Sequence, residues 1–360
     1  MVEFSLLTYS DSVKPLLELH RASFGYAPPE QYWKWKFCEN PMAKDVQKVV
    51  VAVEGGEIVG ARPYMFGDMW VNEKKVRVAQ HCHTMVHPKH RRKGIFAGME
   101  IFALKQLLKD GIAFSYGFPN NLSRGGFLKV GYRRVIDTMA SFRAINSYSL
   151  ISTKTKSRIL ARTASSLFNL IFNRKKRFLS ENSPFEFEVL NEVNAGIGDV
   201  EFVRGKAAID LARSRIFLQW RFDSHPFFNY KYILAKRHSQ LVGYAVVSVQ
   251  KQGEINFGRV VDHVVTDSDI LCYRHLISQS LLELGEQDCD CYEIFTSGEP
   301  KLEKALFEDF GFISFAKFPY NRFVADRYLD AIEVSRHFCN NNCILDKKNW
   351  RVTHAFYDQI

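Results

Sequence analysis

The chain has 360 residues, 46% of them hydrophobic and 24% charged, which excludes a disordered or collagen-like chain and leaves room for two cores. No stretch reaches the ~20 apolar residues of a membrane span, and the opening Met-Val-Glu-Phe-Ser has no signal-peptide pattern. The net charge of +10 is concentrated, because residues 151–180 hold eight basic side chains and no acidic one. From the N-terminus, residues 2–9 read as a strand and 11–23 as a helix capped by Asp11. Ala27-Pro-Pro-Glu30 opens a second helix that ends before Pro41. Alternating apolar runs predict strands over about 47–54, 57–66 and 76–87. Ile95, Met99, Phe102, Leu104 and Leu108 give helical spacing over 95–109. A strand within 111–120, a short helix and turn over 123–132 and a strand over 135–145 follow. Ile159, Leu160, Leu167, Leu170 and Ile171 predict a partly amphipathic helix, closed by Arg174-Lys-Lys-Arg177. A further helix is expected over 271–286 and a closing strand near Trp350–Thr353. Seven scattered cysteines, an odd number, predict free thiols in a reducing compartment.

The chain repeats itself. Trp35-Lys-Phe-Cys-Glu-Asn-Pro41 matches Trp220-Arg-Phe-Asp-Ser-His-Pro226. Hairpins ending in Val-Gly follow each, at Gly60 and Gly243, and Phe127–Tyr132 matches Phe307–Phe312. Three collinear anchors predict two copies of one unit. We expect domains over 1–150 and 184–360, joined by a basic helical linker over 151–183.

Between the predicted strand and the helix at 95 lies Met85-Val-His-Pro-Lys-His-Arg-Arg-Lys-Gly-Ile-Phe96. A strand, a basic turn and a helix N-terminus form an anion site, since the first-turn N–H groups and the dipole face the turn. Arg91, Arg92 and Lys93 add charge, and Gly94 lets the backbone approach a pyrophosphate. Neither a Walker loop nor a Rossmann turn is present. At the matching place the second copy has the acidic turn Asp267-Ser-Asp269. That turn repels phosphate, so only copy one is expected to bind such a ligand.

Val86, Pro88, Arg91 and Gly94 resemble the acyl-CoA-binding motif of the GNAT acyltransferase superfamily, with Phe96 where Gly or Ala is usual. The run Gly117-Phe-Pro-Asn120, Ser123, Gly126-Phe127 and Gly131-Tyr132 resembles a bacterial subgroup associated with surface-polysaccharide biosynthesis. The resemblance implies an α/β (α+β) fold of two GNAT-like units, each a mixed, mostly antiparallel sheet flanked by helices. It implies acetyl-CoA or another acyl-CoA as cofactor, held by Met85, Val86, Arg91, Arg92, Lys93, Gly94, Ile95, Phe96, Asn120, Asn121 and Ser123. The implied reaction is N-acyl transfer to a small amine, such as an amino sugar or nucleotide-sugar. Two other readings stay open: an aminoacyl-tRNA-dependent transferase of the Fem type, and a non-catalytic acyl-CoA-binding or scaffold protein.

Amine acylation needs a base near working pH. Alternation places His81, His83 and Met85 on one strand face, with His83 nearest the family's base position and His81 as the second candidate. The family's general-acid Tyr falls at Phe127, so Ser123, Tyr116 or water is left for that role. Asn120 and Asn121 suit the thioester end or simple turn chemistry. The histidines at 81, 83, 87 and 90 are not expected to bind metal, because Lys89, Arg91, Arg92 and Lys93 oppose a dication. Residues 151–180 read as a solvated linker or as a contact for an anionic membrane or lipid-linked substrate. Nucleic acid is the weaker reading, since no recognition motif accompanies the charge. The expected location is cytoplasmic, with contact to the inner face of the membrane as the variant.

Overall fold

The computed structural model describes residues 1–43, 46, 48–136, 140–152, 155, 157–172, 183–193, 203–297, 299–314, 329–335 and 343–356. Lys154, Lys156 and the Arg174, Lys175, Lys176, Arg177 cluster lie outside them, as does Cys339.

The first half runs β1 (Glu3–Thr8), α1 (Tyr9–Phe24), α2 (Glu30–Trp33), β2 (Lys48–Glu54), β3 (Glu57–Arg62), β4 (Tyr64–Val71), β5 (Lys74–His81) and β6 (Met85–Val86). Then come α3 (Ile95–Lys109), β7 (Phe114–Gly117), α4 (Asn121–Lys129), β8 (Arg133–Ile136) and β9 (Ala140–Ala144). A helical pair, α5 (Ser147–Ser152) and α6 (Arg158–Phe172), leads to the second half. That half holds β10 (Glu186–Leu190), β11 (Ile209–Leu211), α7 (Arg215–Leu218), β12 (Lys231–Arg237), β13 (Gln240–Gln252) and β14 (Ile255–Val265). It continues with α8 (Ile270–Gly285), β15 (Cys291–Phe295), α9 (Pro300–Phe310), β16 (Ile313–Ser314) and β17 (Leu329–Glu333).

The result is a mixed α/β fold of two units. α2 runs on as a π-turn over Lys34–Cys38, and α7 does the same over Gln219–Asp223. These turns carry the repeated Trp anchors and pack on each other. Trp35 Nε1 donates to the Trp220 carbonyl at 2.8 Å, and Trp220 Nε1 donates to the Trp35 carbonyl at 2.9 Å. The rings stack at 5.4 Å. A reciprocal contact of this kind is the signature of a two-fold relation, here between two halves of one chain.

The halves also exchange strands. The sheets run β1-β2-β3-β6, β11-β4-β5-β7-β17-β8 and β10-β12-β13-β14-β15-β9-β16. β9 lies between β15 and β16 of the second half, while β17 lies between β7 and β8 of the first. The boundaries at 150 and 184 are therefore positions along the sequence, not divisions between sheets.

β2 shows how the cores are placed. Its side chains alternate, and Val49 and Val51 enter one core while Val50 and Ala52 enter the other. Helix α3 covers this second core with Ile95, Met99, Ala103 and Leu107, an i, i+4 row. The expected stripe through Leu104 and Leu108 is thus rotated, and Leu108 is exposed. Gly60 faces that row so closely that a Cβ would sit 3.0 Å from the Met99 sulfur.

Arg62 of β3 and Glu100 of α3 form an ion pair with both side chains wholly buried. Removing one partner of such a pair leaves an uncompensated charge and costs about 3–5 kcal/mol. Glu100→Gln is expected to lower stability by that much in urea unfolding, and a loss below ~1 kcal/mol would show that the pair contributes little.

Other expectations need correction. Thr8 stands at the N-cap of α1, and Asp11 sits in its first turn. The closing strand at Trp350–Thr353 reduces to isolated bridges, Ile209 with Trp350 and Ser297 with Val352. Cys38, Cys82, Cys272, Cys289 and Cys291 are not disulfide-bonded, but Cys343 is. Among the described residues no helix is long and apolar enough to cross a membrane.

Candidate active site

The expected strand over 57–66 breaks at Pro63, between β3 and β4. The expected strand over 76–87 breaks at Cys82–Thr84, between β5 and β6. Proline offers no N–H to a ladder, and His83 adopts a left-handed φ of +48°, a conformation that costs a non-glycine residue. Beyond the break β6 pairs only with β3, while β5 pairs with β7 as far as Gly117. The sheet therefore opens between β6 and the segment after β7. A cleft of about 1150 Å³ fills the opening. In the second half β13 and β14 run on across the corresponding place, with only a register shift at Val246/Val247.

One end of the cleft is the N-terminus of α3. Gly94 stands at the N-cap with φ +77°, and no side chain caps the helix. Val86, Arg91, Arg92, Gly94, Ile95 and Phe96 are on the wall. The other sequence-expected residues are placed differently. Met85 is 1% exposed and belongs to the core, because the break at 82–84 turns it away from His83. Lys93 Nζ lies 3.5 Å from Glu54, which also bonds His90 Nδ1 at 2.7 Å. Arg91 Nη2 donates to the Ser23 carbonyl at 2.9 Å, and its Nε donates to Val86 O at 3.3 Å. Arg91 thus braces the end of α1 against the turn, and Arg92 is exposed at the cleft.

Among the described residues the second half has no counterpart to this helix end. Asp269 caps α8, accepting from Leu271 N at 2.9 Å and Cys272 N at 3.2 Å. A carboxylate occupies the position that Gly94 leaves open in the first half.

At the other end, His81, His83 and Met85 do not share a face. The His81 ring lies on Gly117, where a Cβ would come within 2.3 Å of it, and stacks on Phe127 at 4.2 Å. Burial and then the Arg62 charge hold its imidazole well below 6.5, and its buried Nε2 has no hydrogen-bond partner. His83 is tied at both nitrogens: Lys36 Nζ lies 3.1 Å from Nε2, and His20 Nε2 lies 3.2 Å from Nδ1. An ammonium only donates, so Nε2 of His83 accepts and Nδ1 carries the proton. His20 then accepts at Nε2 and donates from Nδ1 to the Tyr26 carbonyl at 2.7 Å. Burial, then the Lys36 charge, then His20 hold His83 well below 6.5, so its ring is neutral at neutral pH. Behind the break, Arg62 donates to Thr84 Oγ1 at 2.6 Å and to Tyr132 Oη at 3.1 Å.

Asn120 is the N-cap of α4, accepting from Leu122 N at 3.1 Å and Ser123 N at 2.9 Å. The Ser123 hydroxyl donates to the same Asn120 Oδ1 at 3.1 Å. Both residues line the cleft while serving the turn. Asn121 opens α4, but its side chain lies outside the described residues. Phe127 packs between His81 and Phe96, so no hydroxyl stands at that position. Among the described residues no group of His, Cys, Asp or Glu is placed to hold a metal ion.

Sequence reasoning missed His20 and Lys36, which lie 63 and 47 residues from His83. One signal was present: each Trp anchor is followed by a basic residue, Lys36 and Arg221, and both are buried.

Comparison with known proteins bears on the fold. Residues 6–135 match the model of the acetyltransferase (GNAT) domain. The match lies in the first half of the chain, and the fold of the whole chain is like that of a tandem GNAT protein. A tandem GNAT protein from the clavulanic acid biosynthesis pathway is similar with a TM-score of 0.54 and 13% identity over 93% of this chain and 99% of its own. A GCN5-related N-acetyltransferase from Anabaena variabilis gives 0.63 and 12% over 92% of this chain and 73% of its own. A probable N-acyltransferase from Enterococcus faecalis gives 0.62 and 10% over 93% and 73%. At these identities the likeness is one of fold. No curated protein matches the chain.

Proposed function

We propose that the protein is an acyl-CoA-dependent N-acyltransferase, most simply an acetyltransferase, with its one working site in the first half. The observation that carries this reading is the uncapped N-terminus of α3, opening on a cleft where the sheet parts. The residues present fit an acyl-CoA. The first-turn N–H groups of α3 and Arg92 would take the pyrophosphate, and the free edge of β6 would take the pantetheine arm. The cofactor supplies an activated thioester carbonyl when bound. His83 is the proton acceptor in this reading. It lines the cleft and is neutral at neutral pH, and it takes the acceptor's proton at Nε2, its one lone pair, once the incoming ammonium has displaced Lys36 from that nitrogen. Lys36 and His20 fix its tautomer, and Arg62 holds Thr84 beside it. With Phe127 in place of a hydroxyl, the departing thiolate is protonated by solvent, since Ser123 is engaged by Asn120.

The acceptor is a small amine. The cleft wall beside His20 includes Phe24 and Tyr26, and Pro28, Pro29 and Tyr32 also line the cleft, an aromatic and proline surface that suits the face of a ring such as an amino sugar. The test is calorimetric titration with acetyl-CoA, followed by turnover on a panel of amines with amino sugars first. Binding in the micromolar range with release of CoA on at least one amine is the expected result. Absence of acetyl-CoA binding would end the reading.

A further inference from the structure

Helix α6 faces the wrong way for a helix that serves only its own fold. At about 100° per residue, Ala161 and Ser165 lie on one side and Ile159, Thr163, Leu160 and Leu167 on the other. The small, polar side is the buried one: Ser165 Oγ and Ser147 Oγ of α5 are 2.5 Å apart, and Ser147 Oγ donates to Asn169 Oδ1 at 2.8 Å. The apolar side faces outward, with Ile159 78% exposed, Leu160 63% and Leu167 58%. Surface helices normally bury the apolar stripe, and a contiguous outward stripe marks a docking surface.

We propose that α6 seats the protein on an anionic lipid surface. Charge chooses this occupant. The only charged side chains of α6 are Arg158 and Arg162, both exposed, with no acidic one, and Arg162 borders the stripe. A second copy placed on the same face would bring like charge against like. A nucleic acid would use the cations but leave the leucines uncovered. An anionic bilayer takes both: the apolar side chains enter the acyl boundary and the cations meet the headgroups. The inference is independent of the acyl-transfer reading.

The experiment is co-sedimentation of the full chain with phosphatidylcholine vesicles, with and without phosphatidylglycerol, at low and high salt. Sedimentation velocity of the protein alone runs beside it. Binding is expected only with phosphatidylglycerol, weakened by salt. Leu160→Glu/Leu167→Glu is expected to lower it about tenfold or more. Both positions are exposed, so melting temperature and acetyl-CoA affinity should stay as in wild type. Arg162→Glu should weaken binding by a smaller factor. Three results would overturn the proposal: no binding to phosphatidylglycerol vesicles, equal binding of the double variant, or equal binding to phosphatidylcholine alone. Self-association that the double variant abolishes, without vesicle binding, would assign the face to a second copy instead.

Discussion

Gly94→Asp is expected to weaken acyl-CoA binding about a hundredfold while leaving the protein folded. Gly94 stands at the N-cap of α3 with φ +77°, and an added Cβ would meet nothing within 4 Å. A side chain there costs the left-handed strain of ~1–2 kcal/mol, eased for Asp, which favours N-caps. The carboxylate, however, would stand where a pyrophosphate must sit. At ~5 Å and an effective dielectric near 20, two like charges repel by about 3 kcal/mol, or ~100-fold in affinity. Gly94→Ala separates the two effects, since it keeps the strain and omits the charge. It should melt lower than wild type but bind acetyl-CoA within a few-fold. Calorimetry on the three proteins decides. Equal affinity of wild type and Gly94→Asp would place the cofactor elsewhere, whatever the turnover.

Asp269 gives a natural version of the same experiment. In the second half a carboxylate caps α8, and β13 and β14 continue where β3 and β5 break. The edge beyond β15 is covered as well, because Val352 bridges Ser297 there. Arg351 follows Trp350 inward and donates to Glu299 and Asp210, at 3.1 Å each, with its third nitrogen 3.2 Å from His263 Nδ1. Asp262 joins this buried network through Arg213, Tyr244 and Thr353. Despite burial, the Arg213 and Arg351 charges bring its carboxyl down to about 2. Among the described residues the second unit shows none of the features that open the first, and it holds a buried charged cluster instead.

What the sequence disclosed and what it hid follow from the range of the interactions. The anion turn was legible because a strand end, a glycine and a helix start are neighbours in the chain. The two-unit repeat was legible because Trp35 and Trp220 must present the same face to each other. Strand exchange was not legible, since β9 and β17 alternate in the same way whichever sheet they join. The break at 82–84 was hidden because no glycine or proline stands between Gln80 and Val86, and a left-handed histidine has no compositional mark. The wrong face was therefore assigned to Met85. The Lys36–His83–His20 chain joins three distant segments through folding alone, so no local pattern announces it.

That chain governs the second large expected effect. His83→Ala should lower kcat by about 10²–10⁴-fold, the usual range for loss of a general base, with acetyl-CoA affinity little changed. A merely structural histidine would also lower activity, so the pH profile is the sharper readout. Burial, the Lys36 charge and His20 all depress the His83 pKa. A base is active when deprotonated, so the acid limb of kcat should lie well below pH 6.5 in the wild type. Lys36→Met removes the cation and one hydrogen bond but keeps an unbranched chain of similar length. The largest cause, burial, remains. The acid limb should therefore move upward toward the ordinary imidazole range without fully reaching it, while the maximal rate falls. His20→Ala should move it upward as well, since a lesser depressing influence is lost. A limb that stays fixed in both variants would show that the titrating group is not His83, and would pass the base role to another group on the cleft. His81, whose Nε2 is unpartnered, would be the next to replace.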